Sequence, residues 1–203
     1  MNITLKIFIL LVLGTLQSRA DQTIYSNGAI DGNSGAYAIG GGPGVSDSFT
    51  ITNTTTLDSV SQIGIWTNTD AAPVSAQWSI GTNAFGTQEG FGSALFTNSL
   101  FLPANSQGFA VWSSSFSLNL TLDPGTYFLS LVSAGTSTGT QSYWDMNNGP
   151  SIAYVVPPYP PATANSESFQ LNGTESVPDA ASTLPLLGGA LAGLTALRRR
   201  FVK

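Results

Sequence analysis

Phe116-Ser117-Leu118-Asn119-Leu120-Thr121-Leu122-Asp123-Pro124-Gly125-Thr126-Tyr127-Phe128-Leu129-Ser130-Leu131 decides the fold class of this 203-residue chain. Its first seven residues alternate: Phe116, Leu118, Leu120 and Leu122 fall on one face, Ser117, Asn119 and Thr121 on the other. A period of two is the mark of a half-buried β-strand. The Asp-Pro-Gly that follows is a turn signal, since proline presets the first φ of a turn and glycine accepts the positive φ after it. Leu118–Leu131 therefore reads as a hairpin.

The same alternation recurs outward from this stretch. Val45-x-Asp47-x-Phe49-x-Ile51 and Val74-x-Ala76-x-Trp78-x-Ile80 each gather mostly apolar side chains on one face. Ser61–Trp66, Gly108–Trp112, Thr126–Val132 and Glu167–Leu171 are further strand candidates. Between the runs lie Asp31-Gly32, Gly40-Gly41-Gly42-Pro43 and Asn148-Gly149-Pro150, which punctuate a chain of short strands. No internal repeat is evident, and Val156-Pro157-Pro158-Tyr159-Pro160-Pro161 reads as a stiff loop before the last strand. The expected fold is all-β, a jelly-roll-like antiparallel β-sandwich over 21–173, followed by a polar stem, 174–176.

The two ends differ from the middle. Residues 1–20 give Lys6, an apolar run Ile7–Leu13 and a small-residue exit Ser18-Arg19-Ala20, the order of a secretory signal peptide cleaved between Ala20 and Asp21. The apolar run is too short for a membrane anchor. All six basic residues lie at the ends: between Asp21 and Leu197 there are eleven Asp or Glu and no Lys or Arg. Such a surface repels phosphate backbones, so nucleic acid is excluded as a partner, and net negative charge serves solubility. There is no cysteine and no histidine. The core alone must hold the exported part together, and the usual transition-metal ligands and Ser-His-Asp or Cys-His nucleophile systems are missing. No cofactor and no metal are expected.

At the other end, Val177-Pro178-Asp179 precedes an uncharged run, Ala180–Leu197, and Arg198-Arg199-Arg200-Phe201-Val202-Lys203 closes the chain. As a helix that run would reach about 27 Å, enough to cross a bilayer once, with the arginines held on the cytoplasmic side. Leu184-Pro185-Leu186-Leu187-Gly188 has the outline of a cell-wall sortase signal, but leucine stands where that enzyme needs threonine. Gly189-x-x-x-Gly193 follows from a Gly/Ala-rich composition.

The order of short motif (177–183), apolar helix (about 180–197) and basic end (198–203) resembles the PEP-CTERM class of sorting signals. It is most similar to the variant opening Val-Pro-Asp-Ser-Gly, with Ala180-Ala181 here in place of Ser-Gly. That resemblance implies an exosortase substrate of a Gram-negative bacterium, often one that makes extracellular polysaccharide. Its implied partners are the Sec export machinery, signal peptidase, the inner membrane in passing, and an exosortase. The implied location is a transient inner-membrane anchor, N-terminus out, then the cell surface or the extracellular space. Val45-Ser46-Asp47-Ser48-Phe49, Trp78-Ser79-Ile80-Gly81, Pro124-Gly125-Thr126-Tyr127, Tyr143-Trp144-Asp145 through Ser151, and Ser166-Glu167-Ser168-Phe169 also resemble a group of small PEP-CTERM ectodomains.

For ligand chemistry, Tyr143-Trp144-Asp145-Met146-Asn147-Asn148 stands out. Tyr143 and Trp144 beside Asp145, Asn147 and Asn148 would suit a sugar, by stacking and by hydrogen bonds to hydroxyls. The competing reading is a strand end and an Asx turn with Trp144 in the core, and the exposure of Trp144 separates the two. Asp145-x-Asn147-x-Gly149 suggests calcium only faintly, lacking the later glutamate. Glycoside hydrolysis by paired carboxylates would draw on Asp47, Asp58, Asp70, Glu89, Asp123, Asp145 and Glu167, but nothing in the sequence pairs any two. The expected function is a non-enzymatic surface or matrix protein with a structural or interaction domain. A carbohydrate-binding module for exopolysaccharide is the alternative, and a small hydrolase a distant third.

Overall fold

The computed structural model describes residues 22–156 and 162–176. The signal peptide with its Ala20–Asp21 cleavage point, the prolines of 157–161, and the tail with Val177, Pro178, Asp179, Arg198, Arg199 and Arg200 lie outside the described residues. The described chain is all strand, turn and loop, and none of it forms a helix long and apolar enough to cross a membrane.

The first strands are β1 (Gln22–Ser26), β2 (Ala36–Ala38), β3 (Gly44–Ile51), β4 (Thr55–Asn68) and β5 (Pro73–Gly81). Then come β6 (Gly90–Leu95), β7 (Thr97–Leu102), β8 (Phe109–Leu122) and β9 (Gly125–Thr136). Last are β10 (Tyr143–Asp145), β11 (Ala153–Val156), β12 (Ala162–Ala164) and β13 (Gln170–Glu175). All pairing is antiparallel, in two sheets. In the first, β8 lies along one side of the long β4 and carries β7 outside it. The other side of β4 is shared: β13, flanked by β1, takes its first half, and β10, flanked by β2, its second. A bulge between Val60 and Ile63, where Gln62 takes a φ of 53°, divides the two halves. The second sheet runs β12-β11-β3-β9-β5-β6.

Between the sheets the alternating positions meet as the period-two pattern requires. Val45, Phe49 and Ile51 of β3, Ile80 of β5, and Leu129 and Leu131 of β9 face Leu57, Ile63 and Ile65 of β4 and Phe116, Leu118 and Leu122 of β8, all buried. Phe49 sits at the centre of an aromatic group, with ring centroids 6.0 Å from Tyr25, 5.8 Å from Tyr127 and 6.3 Å from Phe169. Trp144 extends it, 5.9 Å from Phe169. Such pairs add about 0.5–1.5 kcal/mol each beyond the area they bury.

Two expectations need correction. The Leu118–Leu131 stretch is not a hairpin: β8 pairs with β4 and β7 in the first sheet, β9 with β3 and β5 in the second. Asp123-Pro124-Gly125 instead carries the chain from one sheet to the other, so that the apolar faces of β8 and β9 meet across the core. Gly125 is not at positive φ, and Tyr127 Oη donates to Asp123 O at 2.9 Å, tying the crossing to the strand it opens. Second, β13 continues through Glu175, and Ser176 N donates to Thr54 O at 2.8 Å. Thr174 and Glu175 of the expected stem are thus the end of the last strand, and Ser176 is tied to the segment before β4.

Candidate functional site

β10 is three residues long because it fills the gap on β4 left above β13; Tyr143 pairs with Trp66 and Trp144 with Ile65. Alternation sends Trp144 inward, where it is fully buried and its Nε1 donates to Ser168 O at 2.8 Å. No face of the indole is open to a sugar, so the stacking platform expected at Tyr143-Trp144 is replaced by a core brace. Tyr143 packs edge-on against Phe109 at 5.4 Å. Asn147 is spent on structure as well: its Nδ2 donates to Asn27 O at 2.8 Å and Ala29 O at 3.1 Å, and its Oδ1 accepts from Gly149 N at 2.9 Å. Asn148 alone of the five is exposed.

Asp145 lies on the other side of its strand from Trp144, under the loop 27–35. Its Oδ1 accepts from Trp66 Nε1 at 2.7 Å and Gly32 N at 3.0 Å, its Oδ2 from Asp31 N at 3.1 Å. Burial nevertheless raises its pKa to about 6 against these hydrogen bonds. Gly64 allows the close approach: a Cβ there would stand 2.5 Å from Asp145 Cβ and 2.6 Å from Ser168 Oγ. With Asp145 and Asn147 both engaged by the protein, the faint calcium pattern has no ligand set, and no group of three acids able to hold a metal occurs among the described residues.

Of the seven acids considered for hydrolysis, the fold buries three, Asp47, Asp145 and Glu167, all fully. Asp47 faces the core from β3. Its Oδ2 accepts from Asn27 Nδ2 at 2.7 Å and Glu167 N at 2.6 Å, its Oδ1 from Ser48 N at 2.7 Å. Burial raises its pKa to about 6, the hydrogen bonds opposing. Glu167 differs: neither carboxyl oxygen has a partner. Its pKa is pushed well above the usual carboxylate range, first by burial and then by the charges of Asp47 and Asp145. Burial and the charges of Asp47 and Asp145 thus favour its protonated form, and the fully buried group is sealed from any substrate. Asp70, Glu89 and Asp123 are exposed and Asp58 half-exposed.

The open surface lies elsewhere. The outer face of the second sheet carries a cleft of about 490 Å³. Its lining includes Gln77 and Ser79 of β5, Ser130 and Val132 of β9, Phe91 of β6, and Phe85 from the β5–β6 loop. Phe85 is fixed there by its N–H, which donates to Ser46 Oγ at 3.1 Å; Ser130 Oγ donates to the same oxygen at 2.8 Å. Sequence reading missed this cleft. Gly90-Phe91-Gly92-Ser93 puts its glycines, not its phenylalanine, toward the core, the reverse of what apolar alternation suggests.

The described residues form an antiparallel β-sandwich whose last strand ends at Glu175, where the tail begins. Residues 176–201 match the family model described as the VPDSG-CTERM motif. That segment is a PEP-CTERM-like, exosortase-sorting C-terminal tail, and it points to export and to a cell-surface or extracellular destination. No curated protein matches the chain.

Proposed function

We propose that this chain is an exported exosortase substrate whose β-sandwich is a non-catalytic structural or interaction domain at the cell surface or in the extracellular matrix. The observation that carries the proposal is the sorting tail at 176–201, which follows the last strand without a linker. The signal peptide read over 1–20 and the apolar run 180–197 give the same route: export, arrest in the inner membrane by Arg198, Arg199 and Arg200, then processing at the outer face. Support for a non-catalytic role comes from the acids. The three carboxyls the fold brings into its interior have no access to substrate, and no acid lines the cleft on the second sheet.

Mass spectrometry of the protein isolated from its own host tests the proposal. The expected mature product starts at Asp21 and lacks residues 186–203. An intact C-terminus on most of the surface-located protein would refute sorting and leave a permanent anchor.

A further inference from the structure

Phe91 is 73 % exposed on the edge strand β6, its ring turned away from the core that the same strand fills with Ala94. Phe85, which lines the same cleft, sits at a φ of 60°, a backbone region that bulky side chains seldom adopt. The chain thus holds two aromatic rings at one opening without burying either in the core.

The cleft also offers polar groups with free bonding capacity. Some hydroxyls and amides elsewhere on the sandwich bond one another across strands: Thr50 with Thr126 at 3.2 Å, Thr56 with Thr121 at 3.0 Å, Asn172 Nδ2 with Ser59 at 3.1 Å and Ser61 at 2.8 Å. In the cleft, the side chains of Gln77, Ser79 and Ser93 bond to no protein atom among the described residues. Each of these groups both donates and accepts. No charged side chain lines the cleft.

Aromatic rings beside unengaged neutral donors and acceptors suit a ligand with apolar ring faces and hydroxyls at its edges. A pyranose has both. An anionic polymer would need fixed cations, and the described residues include no Lys or Arg, only acids. The volume falls in the range of about 300–1,000 Å³ typical of ligand sites. We propose that the cleft between the β5–β6 loop and β6 binds a neutral saccharide chain, stacking its sugar rings on Phe85 and Phe91 and bonding its hydroxyls to Gln77, Ser79 and Ser93. The inference adds a ligand to the surface-protein reading, and its test reads nothing about the tail.

Native affinity electrophoresis of the full chain in a zwitterionic, sugar-free detergent tests it. The gels contain a soluble cellulose ether, laminarin or glycogen as neutral polymers, and polygalacturonate as the anionic one. The expected result is retardation by at least one neutral polymer and none by polygalacturonate. Phe91→Ala, at an exposed position, should weaken retardation about tenfold or more, and Gln77→Ala should weaken it independently. Leu95→Ala, 78 % exposed on the same strand face but outside the lining, should leave it unchanged. No retardation by any neutral polymer, equal retardation by polygalacturonate, or full binding by both cleft variants would overturn the proposal. Equal loss in Leu95→Ala would also overturn it, marking a merely sticky face.

Discussion

Glu167 is the residue whose environment departs furthest from what its chemistry prefers. A fully buried carboxyl with no hydrogen-bond partner, facing two other acids, is tolerated only while it keeps its proton. Glu167→Gln, nearly isosteric and never charged, should leave the urea midpoint almost unchanged at mildly acidic pH and raise it at alkaline pH. Equal effects at both would contradict the account. Asp145 is the opposite case, its carboxyl saturated by Trp66 Nε1 and two backbone amides. Asp145→Ala should cost about 3 kcal/mol or more of stability, because three donors lose their acceptor at once. A ligand residue on an open surface would show almost no such loss. The sequence marked Tyr143–Asn148 as chemically distinctive, and it is. What it could not give was direction: the same Trp-Asp pair serves a sugar platform or a buried brace, and only the gap on β4 that β10 fills decides between them.

At the scale of elements, the strands most legible in the sequence were those with one clean apolar face, β3, β5 and the second half of β8, while Ser61–Trp66, Gly108–Trp112 and Thr126–Val132 marked parts of β4, β8 and β9. β8 and β4 each proved longer than the runs read for them, because Ser113-Ser114-Ser115 and the polar start of β4 interrupt the alternation, while the pairing passes these points through bulges and resumes beyond them. The expected hairpin failed for a related reason. Alternation reports which face is buried, and two consecutive strands with buried faces look alike whether they share a sheet or oppose one another. The crossing at Asp123-Pro124-Gly125 is fastened by Tyr127, as in the tyrosine corners of other sandwiches. Tyr127→Phe removes that one hydrogen bond while keeping the ring against Phe49, so a loss of about 1 kcal/mol is expected in urea denaturation, with the slope unchanged. The edge strands β6 and β7, with Phe91, Leu95 and Leu100 turned outward, had no inward pattern to announce them.

For the molecule as a whole, charge sets two expectations. The folded-state pKa values of Asp47 and Asp145 are raised to about 6 and that of Glu167 further from its usual range, so the native state binds more protons than the unfolded chain. Stability is therefore fullest below about pH 4, falls as pH rises through about 6, and goes on falling as Glu167 ionises. Thermal melts across that range should show a decline toward alkaline pH; a rise would count against it. Between Asp21 and Leu197 the chain has no base. Without divalent cations, the mature protein should be retained neither by DNA nor by anionic vesicles at physiological salt, as co-sedimentation would show. One feature of the sheet order matters for how the molecule bears load. β13, from which the tail departs, is not an edge strand: it lies between β1 and β4, hydrogen-bonded on both sides. Tension directed along that strand loads the β4 ladder over Gln170–Glu175 and the β1 ladder over Gln170–Gly173 in shear, instead of opening one bond at a time like a zip. The point of attachment is thereby one of the places where the domain best resists being drawn apart.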